Sequence, residues 1–337
     1  MLRSLCVLVS FIVIASICLC SDLLDFGHVL GIADLQGVNL ANALEAPKEG
    51  QWGVIIQEDY FDIIKNAGFN FVRIPVAFSE HADHSARFDV SEVFLSRIDE
   101  VLGWATKRHL AILLSFHSFE ELYRAPEFHA EQFIAIWEQI ANRYYLRYPN
   151  LYFELLNEPH GKMSADIWND ILNKVVIRIR QIDPGRLLVL GGIDYSSPQA
   201  LRDMVFPDGI TNLVATFHYY RPYEFTHQGA EWADGSGEWL GRKWSGSEEE
   251  IDAVRKDFAE AAQWSRETGI PVLLGEFGSI AKADRESRVR WTKTVREQAE
   301  YHGFGWAVWE FCAHFAVFDG NDAKFDPEIM SALMPQK

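Results

Sequence analysis

Two glutamates, each closing an apolar run, are the pair in this chain best placed to do chemistry together. One ends Leu151-Tyr-Phe-Glu-Leu-Leu-Asn157-Glu158-Pro159 and the other ends Ile270-Pro-Val-Leu-Leu-Gly275-Glu276-Phe277. A run of β-forming residues that stops at an acid reads as a buried strand delivering a charged group to its C-terminal rim. Two carboxyl groups facing each other across one cleft can act on a C–O bond held between them. One protonates the departing oxygen while the other attacks the carbon. That division requires unlike surroundings, with one group keeping its proton and the other its charge. Arg73 and the Tyr220 hydroxyl are the expected partners of the charged form of Glu276.

The elements that must carry these residues recur along the chain as an amphipathic helix, a Gly or Pro turn and a short apolar strand. Strands are expected at Leu35–Leu40, Phe71–Pro75, Ala111–Phe116, Leu151–Leu156, Leu187–Leu190, Leu213–Phe217, Val272–Gly275 and Gly305–Trp309. The helices before them end in Asn66-Ala-Gly68, Tyr148-Pro149-Asn150, Asp183-Pro-Gly185, Thr268-Gly269 and His302-Gly303, all ordinary stop signals. Continuous apolar strands imply a parallel sheet covered on its outer face, so the fold class is α/β, a single (β/α)8 TIM barrel. A doubly wound open sheet is the alternative, but no Gly-rich phosphate loop follows the first strand.

The residues leaving those strands are Arg73, His117, Asn157 and Glu158, His218 and Tyr220, Glu276, and Trp309 with Glu310. Each has an ordinary explanation alone: Arg73 as a barrel-bottom salt bridge, His117 and His218 as satisfied core histidines, Trp309 as core. A barrel packed for stability alone would put aliphatic residues at that rim, so their joint occurrence points to a site. The chemistry they allow is glycoside hydrolysis, with a carboxyl separation near 5–5.5 Å if the anomeric configuration is retained. Asn157 is placed to hydrogen-bond a sugar 2-hydroxyl, and Trp309 offers a flat face to a pyranose ring.

Composition agrees. The chain has 337 residues, 48% of them hydrophobic, enough for one catalytic domain. Its net charge of −17, with 48 acids against 31 scattered bases, argues against nucleic acid or an anionic membrane as partner. The 11 Trp, 11 Tyr and 23 Phe suit a neutral, ring-shaped ligand. After Arg3, the apolar run Leu5–Leu19 reads as a signal h-region with cleavage before Ser21. The expected organisation is therefore a signal peptide at 1–20 and a catalytic barrel at 21–337, giving a secreted or periplasmic protein with no membrane attachment after cleavage. Removal of 1–20 would leave Cys312 as the sole cysteine, a small buried hydrophobe with no disulfide partner. No cofactor and no metal is implied, since Val38-Asn-Leu-Ala41 lacks the His pair that a metal-dependent barrel hydrolase would carry.

On these residues the chain resembles glycoside hydrolase family 5, a family of retaining β-glycanases, over about Gly37 to Met334. Arg73, His117, Asn157, Glu158, His218, Tyr220, Glu276 and Trp309 match the family's polar set in order. The resemblance implies Glu158 as acid/base, Glu276 as nucleophile, and Arg73, Asn157, His218 and Tyr220 as their catalytic supports. The segments Asn42-Ala-Leu-Glu45-Ala-Pro47, Phe225-Thr-His-Gln-Gly-Ala-Glu-Trp232 and Trp306-Ala-Val-Trp309-Glu310-Phe311 further resemble bacterial endo-1,4-β-glucanases (cellulases), some of which also cut mannan. By that likeness Asn42, Glu45 and Glu310 bind sugar on the non-reducing side of the cut, with His117 and Trp309 as further substrate contacts. The subgroup usually has two histidines after strand three, whereas here Ser118 follows His117, which counts against mannan. The long loop after His218 carries Trp232, Trp239 and Trp244; Trp232 is the expected stacking surface on the leaving-group side, the alternative being that all three pin the loop to the barrel. The expected partner is a β-linked polysaccharide, glucan first and glucomannan or mannan second, cut internally by a monomer. A mannanase or xyloglucanase on the same scaffold is the near alternative, and a metal-dependent barrel hydrolase or a non-catalytic sugar-binding barrel the alternative of another class.

Overall fold

The computed structural model describes residues 31–85, 87–320 and 322–335; the expected signal segment at 1–20 lies outside them. Eight parallel strands close in sequence order: β1 (Gln36–Asn39), β2 (Phe71–Val76), β3 (Ala111–Phe116), β4 (Leu151–Glu154), β5 (Leu188–Gly191), β6 (Leu213–Tyr219), β7 (Val272–Phe277) and β8 (Gly305–Val308). β8 pairs back onto β1 through Val308 and Val38, which seals the barrel without an edge. The molecule is thus a (β/α)8 TIM barrel.

Helices cover the outside because their apolar residues fall on one stripe. In the helix Glu92–Lys107, Leu95, Ile98, Val101, Leu102 and Ala105 are buried, the i, i+3, i+4 spacing of a single face. The helix Glu248–Thr268 opens on a capping box in which Ser247 and Glu250 satisfy each other's backbone N–H, and it buries Phe258, Ala261 and Ala262. No helix among the described residues is long and apolar enough to cross a membrane.

Strand ends depart from expectation where the site lies. β6 and β7 run to Tyr219 and Phe277, so His218 and Glu276 sit within strands and not just beyond them. The register shows why: Phe217 faces Leu274 and His218 faces Glu276, leaving Gly275 as an extra residue in a bulge after which pairing resumes. Such a bulge re-aims the following side chain. β4 stops early, at Glu154, and the chain then turns through Glu158 at φ 46°. A short antiparallel hairpin, β9 (Phe318–Asp319) with β10 (Lys324–Phe325), was not expected, because two-residue strands carry no readable alternation. Cys312 is only half-buried; burial pushes its thiol up to about 12.

β7 and β8 are brought together at their rims by a close approach. Trp309 donates its backbone N–H to the Phe277 carbonyl at 2.8 Å, and an added Cβ on Gly278 would meet the Trp309 carbonyl oxygen at 2.0 Å. Gly278→Ala must therefore push the Trp309 backbone away, at about 1–3 kcal/mol of overpacking strain. The expected outcome is a lower melting temperature together with a raised KM; a variant with both unchanged would show that Trp309 does not depend on this contact.

Candidate active site

The barrel mouth is built around the Arg73 guanidinium, which is fully buried. Its Nε and Nη2 form a fork onto Glu154, at 2.5 and 2.8 Å. Nη1 donates to Glu276 Oε1 at 2.5 Å and to Asn39 Oδ1 at 2.9 Å. Nη2 also donates to Asn157 Oδ1 at 2.8 Å and to Ser115 Oγ at 3.1 Å. Every N–H of the fork has an acceptor, the condition for holding this charge at such depth. Burial alone would weaken the guanidinium's hold on its proton, but the charges of Glu154 and Glu276 outweigh burial and raise it. Asn39 in turn donates to the carbonyls of Gly275 and Val308, at 3.1 and 3.2 Å, tying β7 and β8 to the same centre.

Glu276 has its second oxygen held as well: the Tyr220 hydroxyl donates to Oε2 at 2.8 Å. Glu158 stands differently. Its side chain is 24% exposed where that of Glu276 is 4% exposed, and its one charged neighbour at hydrogen-bond distance is His218, with Nδ1 2.7 Å from Oε1. One carboxylate oxygen from each glutamate and a ring nitrogen of His218 lie within 4.8 Å of one another. Burial lowers the affinity of His218 for a proton, yet the charge of Glu276 and the hydrogen bond to Glu158 reverse this and leave it raised.

That trio is also the only metal-like donor cluster among the described residues. It fits a cation poorly. Both Glu276 oxygens already accept from Arg73 and Tyr220, and a cation bound there would sit against the guanidinium.

The cleft around the pair holds about 570 Å³. Asn42, Glu45, His117, Ser118, Trp232, Trp309 and Glu310 line it with the two glutamates and Tyr220, so the residues expected as substrate contacts all reach one cavity. Asn157 lies just beneath, its carbonyl oxygen taken by Arg73 and its backbone carbonyl by the Tyr123 hydroxyl at 2.5 Å, which leaves its amide NH2 to offer. Desolvation pushes His117 down to about 3, so its ring is neutral, and it lies parallel to Trp309 at 5.9 Å. Of the loop tryptophans, Trp244 is core at 1% exposure, Trp239 packs edge-on against Tyr223, and Trp232 is 55% exposed beside His314. The rim positions Asn42, Ser118 and Glu158 all have positive φ, strained conformations of the kind that cluster at functional sites.

Four lining residues were not picked out from the sequence: Trp52, His227, His314 and Phe315. Glu154 was also missed, although an acid inside the apolar run of β4 was a signal that a cation must meet it. Arg73 was weighed as either a barrel-bottom salt bridge or a site residue; it pairs with both Glu154 and Glu276, so its loss would strand the one as well as free the other.

A family model described as cellulase (glycosyl hydrolase family 5) matches residues 33–314. The chain is 35% identical to Endoglucanase H of Acetivibrio thermocellus over 303 residues, 88% of this chain but only 32% of that protein. It is 28% identical to Endoglucanase C of the same organism, covering 89% of this chain and 98% of that one. Cel5A of Thermotoga maritima, solved with mannotriose, superposes with a TM-score of 0.87 at 42% identity, covering 89% of this chain and 97% of Cel5A; a cellobiose complex of Cel5A matches equally well, at 43% identity.

At one side of the cleft Glu45 and Glu310 meet across Asn42, which donates its backbone N–H to Glu45 and its side-chain amide to Glu310. Burial pushes Glu45 up to about 7, against backbone hydrogen bonds that favour its charge. Burial also pushes Glu310 up to about 7, and the neighbouring Glu45 charge adds to the rise. Both acids therefore hold protons more tightly folded than unfolded, so their stabilisation is present below about pH 4.5 and lost as pH rises through about 7. Glu310→Gln, which cannot ionise, should gain melting temperature relative to the parent between about pH 5 and 8. A constant difference across that range would contradict this environment.

Proposed function

The chain belongs to glycosyl hydrolase family 5, the cellulase family, and on that premise we propose that it cuts internal β-1,4-glucosidic bonds of soluble, cellulose-like glucans by double displacement. The observation that carries the reading is the pairing of Glu158 and Glu276, with carboxylate oxygens within 4.8 Å of each other in one cleft. That separation is nearer to the about 5–5.5 Å of a retaining pair than to the about 6.5–9.5 Å at which an inverting pair admits its water. Glu276, clamped by Arg73 and Tyr220, attacks the anomeric carbon. Glu158, open to the cleft and steadied by His218, protonates the leaving oxygen. A glycosyl ester then forms on Glu276, and Glu158 deprotonates the water that releases it.

The remaining residues hold the chain in place. Asn157 offers its amide to the 2-hydroxyl, a contact that strengthens as the ring flattens in the transition state. Trp309 lies under the ring, with His117 as a neutral hydrogen-bonding partner. Asn42, Glu45 and Glu310 take the non-reducing side, and Trp232 the leaving-group side. A second reading, mannan, is supported by the Cel5A complex with mannotriose; Ser118 stands against it, since a hydroxyl replaces an imidazole at the cleft wall.

Glu158→Gln should lose about 10²–10⁴ in turnover on glucan, the usual worth of a positioned acid, yet still glycosylate from an aryl cellobioside whose leaving group needs no proton. Glu276→Gln should be silent on both. Rescue of both variants alike would sink the role assignment. Side-by-side reducing-sugar assays on carboxymethylcellulose, mixed-linkage glucan, xyloglucan and mannan should favour the two glucans first, and faster release from mannan would favour the second reading.

A further inference from the structure

Two buried polar atoms behind the carboxyl pair have no partner among the described residues: the Thr216 hydroxyl and His218 Nε2. Both side chains stand on β6, two residues apart, and so share one face of the strand. Thr216 is fully buried and His218 nearly so. They also converge. A Cβ built on Gly275 would lie 2.6 Å from Thr216 Oγ1 and 3.1 Å from His218 Nε2, so the two atoms flank one small space within reach of a single bridging water. Gly275 keeps that space open because it is the bulged residue of β7, and its carbonyl is held away by Asn39 at 3.1 Å.

The demand for a partner comes from the charges around the ring. Glu158 faces His218 from the turn after β4, Glu276 from β7, Arg73 from β2 and His117 from the end of β3. When it is protonated, this ring carries two N–H donors. Nδ1 is spent on Glu158 at 2.7 Å, which leaves Nε2–H in need of an acceptor at a depth where an unmade hydrogen bond is costly.

We propose that Thr216 is a positioning residue for the reaction, its hydroxyl taking up the Nε2–H of His218 through one buried water and so fixing the imidazole that steadies Glu158. The link itself is independent of what Glu158 does; only its kinetic consequence rests on the acid/base reading above.

Thr216→Val swaps the hydroxyl for a methyl of the same shape. If the link exists, the imidazolium loses an acceptor and the His218 titration, followed by imidazole NMR and assigned by its absence in His218→Asn, moves to lower pH. Turnover on glucan should fall roughly five- to tenfold with KM little changed, while an aryl cellobioside with a good leaving group is nearly spared, and Thr216→Ser should restore both readouts. Gly275→Ala, which places a methyl between the two groups, should move the titration in the same direction and guards against a Val variant that folds poorly. If the hydroxyl is a true orphan, Thr216→Val leaves the titration and the pH profile unmoved and raises the melting temperature, and the proposal fails. A shifted titration with equal losses on good and poor leaving groups would uphold the link and overturn the role given to Glu158.

Discussion

Arg73 has no exposed surface, and an uncompensated guanidinium at that depth would cost several kcal/mol, so its five N–H groups must all be met from within the barrel. Meeting them recruits side chains from β1, β3, β4 and β7: Asn39, Ser115, Glu154 and Glu276 converge on a residue of β2, with Asn157 added from the turn after β4. The same contacts that satisfy the charge set the direction of Glu276 and the amide of Asn157. Stability and site geometry are therefore one requirement here, and a barrel that closed in another register could not satisfy it.

From that centre the two glutamates diverge. Glu276 is held by a cation and a phenol and is almost closed off, whereas Glu158 projects from a strained turn into the cleft with His218 at its side. Unlike surroundings for like groups are what acid and nucleophile chemistry needs. Outside the pair the cleft becomes apolar and flat-walled through Trp309, Trp232 and Trp52, with the carboxyls Glu45 and Glu310 at one end. Such a wall accepts sugar rings by their faces and their hydroxyls by the edges.

The eight strands could be read from sequence because each is a short apolar run bounded by helix stop signals, and Glu158 and Glu276 stood out as acids closing such runs. Glu154 did not, since an acid inside the run is indistinguishable from a polar-facing strand position until Arg73 is seen opposite it. The pairing of His218 with Glu158 was equally hidden: it joins β6 to the turn after β4 and exists only once the barrel has closed. Of the three tryptophans of the loop after β6, Trp232 was the expected stacking surface and is open to the cleft, while Trp244 is core, as the alternative had it for all three. Their fates depend on how an irregular loop folds back, which no periodicity encodes. Trp52 and His314, carried on other irregular segments, were missed for the same reason.

On the proposed reading Glu276, held by Arg73 and Tyr220, is the group that attacks the anomeric carbon. Trapping with a 2-deoxy-2-fluoro cellobioside bearing a good leaving group, followed by peptide mass mapping, tests this, because the fluorine slows both formation and release of the glycosyl ester while the good leaving group keeps formation fast enough for the ester to accumulate. A single fluorocellobiosyl adduct is expected on the peptide containing Glu276, absent from Glu276→Gln. An adduct on Glu158, or inactivation without any covalent adduct, would contradict this reading.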